Sequence, residues 1–374
     1  MQQSEARVIP KLSSLLCGVA LALLVSSAVA DEQPSITIST WGGAYQAAQQ
    51  QALFTPFEAQ TGIKINTQLQ QGGLDMLTGD NVPDLVDMEE ADGQLACEKG
   101  LLHKMDFVPV VAPEKAGLSV KDDFLPKAFL PCGVAHMTFA TLVAFNTNAF
   151  QDEKPSTIKD FFDLKRFPGK RGLRKNSGTI LEWALMADGV PISQVYDLLS
   201  TERGLRLAFR RLESLRGNIV WWDKPEEPGQ LLSEGKVTMS SGYNGRFFDD
   251  QTSNKAITLL WDGQIIDRSI WVIPAAIKKP GPALTQFIRF ATQPKQMARL
   301  AERIPYGPSR SSALKYIGNH PIEGTLMMHH LPTNPNHLKR SLFRDTGWYA
   351  KTDTLRSQAF DRWLSLSKGL QHSQ

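Results

Sequence analysis

The sequence predicts an α/β protein with mostly parallel sheet, divided into two domains. The first observation is the stretch Ser35–Tyr45, an alternating β-branched run that breaks at Trp41-Gly42-Gly43 and continues at helical spacing. A strand handing over to a helix through glycines leaves backbone N–H groups at the strand's C-terminal end, where open α/β sheets hold ligands. The second is the helix-periodic run Ala44–Gln60, closed by Gly62 and followed by the alternating Ile63–Thr67. That β-α-β order implies a right-handed crossover and a parallel pair. The third is length: 374 residues exceed a usual single core.

The ends come next. Arg7 and Lys11 precede an uncharged Leu/Val/Ala-rich run from Leu12 to Ala30, which ends in Ala28-Val29-Ala30. This is the pattern of a secretory signal peptide cleaved after Ala30; a membrane anchor is the alternative reading. Cys97 and Cys132 are then the cysteines of an exported chain, and an even pair there reads as a disulfide closing a loop of about 36 residues. A net charge of +3 provides no footprint for nucleic acid.

Within Ala44–Gln60, Pro56 predicts a kink or an early end. Pro83–Met88 reads as a short apolar strand running into the acidic Glu89-Glu90-Ala91-Asp92 and a helix that reaches Cys97. Residues 106–131 read as a loop-rich excursion. Val134–Asn146 is a long β-type run able to pass from one domain to the next. The basic stretch from Lys165 to Lys175 surrounds Pro168-Gly169 and reads as a solvated loop. Thr179 and Glu182 have capping-box spacing at a helix start that could also receive an anionic ligand group.

Four later strands follow the same theme. Ile219–Trp222 ends at Asp223, Val237–Tyr243 runs into Asn244-Gly245-Arg246, and two separate strands, Ile257–Trp261 and Ser269–Pro274, bracket Asp262 and Asp267. Aromatics and acids thus recur at strand ends: Trp41, Glu90, Trp222 with Asp223, Tyr243 and Trp271. An aromatic face attracts a cation by about 0.5–2 kcal/mol, and a carboxylate adds a charge-assisted hydrogen bond. The set suits an amine-bearing ligand, with Arg246 able to hold a carboxylate. No Gly-x-Ser-x-Gly, Walker A, Gly-x-Gly-x-x-Gly or His-Glu-x-x-His motif occurs. The adjacent His329-His330 lacks the helix-face spacing of a metal pair. The expectation is a binding protein with no metal, no cofactor and no catalytic residue.

An ordered set of motifs resembles one family. It comprises Thr40–Tyr45, Phe57 to Lys64, Pro83–Val86, Cys97–Leu102, Phe167–Arg171, Tyr243–Arg246, Trp271–Pro274 and Leu331-Pro332-Thr333 through Trp348. The chain is similar to the extracytoplasmic solute-binding proteins of ABC importers, in the branch that includes spermidine/putrescine-binding proteins. The resemblance implies the two-lobe type II periplasmic-binding-protein fold, with mixed, mostly parallel sheets flanked by helices and two crossing segments. Residues 31–143 with 271–315 would form lobe one; residues 144–270 with 316–374 would form lobe two. It further implies a periplasmic monomer that passes a small solute to permease subunits in the inner membrane. Trp41, Gly42 and Gly43 would form one wall, closed from the other lobe by Trp222, Asp223 and Tyr243. Where polyamine binders of this family carry a tyrosine pair, this chain has Ala91-Asp92. The expected solute is an amine, a polyamine such as putrescine or spermidine first. A γ-aminobutyrate-like or other small zwitterion is the alternative, and a secreted enzyme using a carboxylate pair ranks below both.

Overall fold

In the computed structural model, which describes residues 33–111, 119–253 and 255–369, the alternating run forms β1 (Ser35–Thr40). The proposed signal segment and its cleavage site lie outside the described residues. The helix after Gly42 covers Gly43–Gln49, widens into a π-helical turn at Gln50–Phe54, and resumes as Thr55–Thr61. Pro56 sits in the first turn of the resumed helix, where a missing N–H is tolerated, so the expected break becomes a widened turn. Gly62 then ends the helix at φ 73°, a left-handed conformation that costs other residues a steric clash.

Ten further strands complete one mixed sheet among the described residues: β2 (Lys64–Leu69), β3 (Leu85–Glu89), β4 (Phe129–Leu130), β5 (Gly133–Asn146), β6 (Arg171–Arg174), β7 (Ile219–Trp222), β8 (Met239–Tyr243), β9 (Ile257–Val272), β10 (Gly307–Pro308) and β11 (Leu342–Phe343). The main order is β2-β1-β3-β9-β5-β8-β6-β7. The outer triplets β2-β1-β3 and β7-β6-β8 pair in parallel, as helical crossovers require. Between them β5 and β9 run antiparallel to each other and to their outer neighbours.

The two strands expected on either side of Asp262 and Asp267 are one continuous strand, β9. Its pairing with β5 jumps between Val143↔Leu260 and Thr141↔Ile265, so Trp261–Gln264 bulge out. Gly263 takes φ 79° inside the bulge and its carbonyl accepts from Trp183 Nε1 at 2.7 Å. Aspartate and glycine at such a bulge read locally as a loop, while the flanking register holds the strand together.

The buried apolar side chains fall into separate clusters. One gathers residues from Ile36 to Met137 with residues from Ile270 to Ala313. A second gathers residues from Val143 to Ile265 with Leu342, Trp348, Phe360 and Trp363, and a small third surrounds Leu142 and Phe247. The helix Thr346–Gly369 packs on the second cluster, and at its first residue Thr346 Oγ1 meets Gln94 Oε1 of the helix Glu90–Glu98. No described helix is long and apolar enough to cross a membrane.

Cys97 and Cys132 form a disulfide with Cα atoms 5.8 Å apart, tying the helix after β3 to the start of β5. The basic stretch departs from the expected solvated loop, because Arg171–Arg174 form β6 and Arg171 is fully buried. Its guanidinium donates to the carbonyls of Phe161 (2.7 Å), Gly169 (2.8 Å) and Phe167 (2.6 Å), and to Thr238 Oγ1 (3.1 Å). Desolvation pushes its pKa down to about 10, still charged at neutral pH.

Two stability predictions follow from these contacts. Replacing both cysteines by serine should lower the unfolding free energy by about 3–4 kcal/mol in a urea titration, the value expected for a loop of this length. Arg171→Met should cost about 3 kcal/mol in the same titration, because it strands three buried carbonyls. An unchanged midpoint would remove Arg171 from the structural framework.

Candidate functional site

The register of the sheet decides what meets at its centre. Glu89, the last residue of β3, stands opposite Ser269, and Asp267 two residues along β9 stands opposite Phe139 of β5. Thr141 of β5 faces Tyr243 at the end of β8, and Arg174 faces Trp222 at the ends of β6 and β7. These strand ends surround a cavity of about 540 Å³, completed by the loop 175–179, by Arg344 after β11 and by Tyr349, Asp353 and Arg356 on the last helix. The volume is in the range of small-molecule sites.

Aromatic and ionic contacts shape the walls. Trp222 is 2% exposed, donates from Nε1 to Ser241 Oγ at 3.1 Å, and meets the Tyr243 ring nearly edge-on at 6.4 Å. Arg174 Nη1 donates to Tyr243 Oη at 2.6 Å, and its guanidinium carbon lies 5.9 Å from the centre of the Trp222 ring. Arg344 pairs with Asp267 at 2.5 Å, donates to Thr179 Oγ1 at 3.2 Å, and lies over the Tyr349 ring at 4.6 Å.

Charge in the cavity is balanced in number: Arg174, Lys175, Arg344 and Arg356 oppose Glu89, Asp267, Asp353 and Asp361. The balance is uneven in space. Asp267 neutralises Arg344, and Asp353 lies 3.3 Å from Arg356. Neither Arg174 nor Glu89 has an ion-pair partner among the described residues, although both are exposed to the cleft. Glu89 reaches solvent through the cleft but is walled by protein on its other sides. That desolvation pushes its carboxyl pKa up to about 7, and the charges of Asp267 and Asp92 push the same way. Arg344 and Arg174 pull it down and are outweighed.

The candidates from the sequence separate into two groups. Trp222 and Tyr243 line the cavity. Trp41 is half-buried at the end of β1, its indole beside Gly72, and neither it nor Gly42 nor Gly43 lines the cavity. Glu90 turns inward and forms a buried ion pair with Arg268 at 2.5 Å; its neighbour Glu89 faces the cavity instead. Asp223 is exposed outside the cavity, with its backbone N–H donating to Glu227 at 2.8 Å. Arg246 is exposed on the helix Asn244–Thr252, outside the lining. Trp271 is fully buried and stacks on His136 at 4.3 Å, because β9 is covered on both faces there. Thr179 adopts φ 69° and makes no side-chain cap, so the capping box does not form; Glu182 is instead buried against Tyr349. Arg174 belongs to the basic run that reads as solvated, Glu89 is not told apart from Glu90 in the acidic run after β3, and Arg344 and Tyr349 carry no local signal.

Comparison with known proteins agrees with this architecture. Residues 52–321 match the family described as bacterial extracellular solute-binding protein. A γ-aminobutyric acid-binding protein of Pseudomonas aeruginosa is 32% identical over 349 residues, spanning 92% of this chain and 94% of that one. Among solved structures, an ABC transporter substrate-binding protein from Bradyrhizobium japonicum superposes with a TM-score of 0.72 at 27% identity, over 89% of this chain and 99% of that one. A GABA receptor superposes at 0.69 with 26% identity, over 88% of this chain and 97% of its own. The chain therefore belongs to the bacterial extracellular solute-binding proteins, as the substrate-binding component of an ABC transporter and not as an enzyme.

Proposed function

We propose that the cavity binds a short ω-amino acid of the γ-aminobutyrate kind, with its carboxylate on Arg174 and its ammonium on Glu89. One observation carries this reading: of the charged cavity groups without an ion-pair partner among the described residues (Glu89, Arg174, Lys175 and Asp361), the two that end strands, Glu89 and Arg174, have opposite sign and stand on different parts of the sheet. Arg174 follows Leu173, which belongs to the second hydrophobic cluster. Glu89 follows Leu85, Val86 and Met88 of the first. A ligand carrying both charges neutralises both groups, and the guanidinium suits a carboxylate in two-point contact. A diamine would satisfy Glu89 and set its second ammonium near Arg174, a like-charge contact. The γ-aminobutyrate-binding relatives favour the zwitterion, and nothing in them favours the polyamine.

The division of the core supports a closing motion. Residues 31–143 with 271–315 and residues 144–270 with 316–374 would be lobes joined through β5 and β9, and a ligand held by Glu89 and Arg174 would favour the closed arrangement. Export to the periplasm after removal of residues 1–30 would bring the loaded, monomeric protein to its permease.

Arg174→Met should weaken γ-aminobutyrate binding by about 10–100-fold in calorimetry, the loss expected for one charge-assisted contact, and leave the melting temperature of the empty protein nearly unchanged. Retained affinity would place the carboxylate elsewhere. The pH dependence has a definite sign. Glu89 titrates near 7 in the empty site and must be ionised to hold an ammonium, so affinity should fall as pH drops below about 7 and level off above it. Binding at pH 6.5 should release protons, which calorimetry in buffers of different ionisation enthalpy detects. Glu89→Gln should flatten both effects; a wild-type affinity constant from pH 6 to 8 would exclude Glu89 from the ammonium contact.

A further inference from the structure

We infer that Glu182, a carboxylate no ligand can touch, sets the affinity of the site by acting through Tyr349 on Arg344; the inference rests on the zwitterion reading above. Glu182 is fully buried on the helix Ile180–Ala187. Its Oε1 accepts from Tyr349 Oη and, at 3.5 Å, from Tyr196 Oη, while its Oε2 has no hydrogen-bond partner. A buried carboxylate left half satisfied is costly, and that cost calls for a compensating role.

Tyr349 shows what the carboxylate holds in place. Its hydroxyl donates to Glu182 and accepts from the backbone N–H of Thr179 at 3.0 Å, so its only donor is already used and unavailable to a ligand. The Thr179 bond matters because Thr179 sits at φ 69°, a conformation that a β-branched residue adopts only under restraint. Thr179 in turn accepts from Arg344 Nη2 through its hydroxyl. The Tyr349 ring also lies under the guanidinium carbons of Arg344 at 4.6 Å and Arg356 at 4.2 Å.

The two arginines differ in what they have left to give. Arg356 is spent on Thr352, Ser177, Asp353 and the Tyr349 carbonyl. Arg344 uses Nε on Asp267 and Nη2 on Thr179, which leaves Nη1 without a partner among the described residues. Burial opposes the charged form of Arg344, but Asp267, and after it Tyr349 and Glu182, favour it and outweigh the burial. Arg344 and Arg174 both line the cavity that Glu89 faces. Nη1 of Arg344 is therefore the second donor for the ligand carboxylate, and Glu182 with Tyr349 are positioning residues that hold it on target.

A mutant cycle tests the chain of action. Glu182→Gln keeps an acceptor for Tyr349 but removes the charge; Arg344→Lys keeps the charge but removes the fixed fork. Calorimetry with γ-aminobutyrate would be run on the unsubstituted chain, both single variants and the double variant, with melting temperatures of the empty proteins beside it. Glu182→Gln should weaken binding about tenfold in the natural chain and less than twofold in the Arg344→Lys background. Tyr349→Phe should match or exceed the Glu182→Gln loss. Equal losses in both backgrounds, or no loss in either, would overturn the inference and leave Glu182 a structural acid. Absence of binding by the unsubstituted chain would instead overturn the zwitterion reading, so the two failures are told apart.

Discussion

β5 and β9 run antiparallel from Gly133 opposite Val272 to Asn146 opposite Ile257, and this pairing is the constraint on which the molecule depends. Each strand is shared by the two large hydrophobic clusters: Val134 and Trp271 belong to the first, Val143 and Ile265 to the second. The parallel triplets on either side attach to this pair and to nothing else in the sheet. Phe139, Thr141 and Asp267 lie between the cluster assignments along the two strands, and they line the cavity. The pairing thus places the floor of the cavity between the two large apolar clusters, beside the small third cluster around Leu142 and Phe247.

The electrostatics follow from that position. Two buried carboxylates are matched locally, Glu90 by Arg268 and Asp123 by Arg310, each pair almost free of solvent. Removing one partner from such a pair costs about 3–5 kcal/mol, so these charges are fixed features of the fold. Glu89 and Arg174 have no such partner among the described residues. Both face the cavity, and desolvation, with the charges of Asp267 and Asp92, raises the Glu89 pKa there.

Much of the framework was legible because its signals are local. Alternation gave β1 and β2, Gly62 gave a helix end, and a cysteine pair in an exported chain gave the disulfide. The site was legible only where a strand end carried its own aromatic, as at Trp222 and Tyr243. Elsewhere parity failed. β3 is buried on both faces, so its sequence does not say whether Glu89 or Glu90 meets the cavity; a helix starting at Glu90 decides it by turning that side chain towards Arg268, 178 residues away. Trp271 fails for the same reason, on a strand covered from both sides. Arg344 and Tyr349 come from a tail whose only local pattern is that of a helix packing on a core, and they reach the cavity through tertiary contacts alone.

The interleaving of the chain has a consequence for its biogenesis. The first apolar cluster draws on residues as far apart as Ile36 and Ala313, and the second on residues from Val143 to Trp363. Neither can be completed from a contiguous stretch, so a ribosome must finish most of the polypeptide before either cluster can close. Contacts of such long sequence separation also make folding slow. The order in which this sequence supplies its core thus leaves the chain open until late in its synthesis.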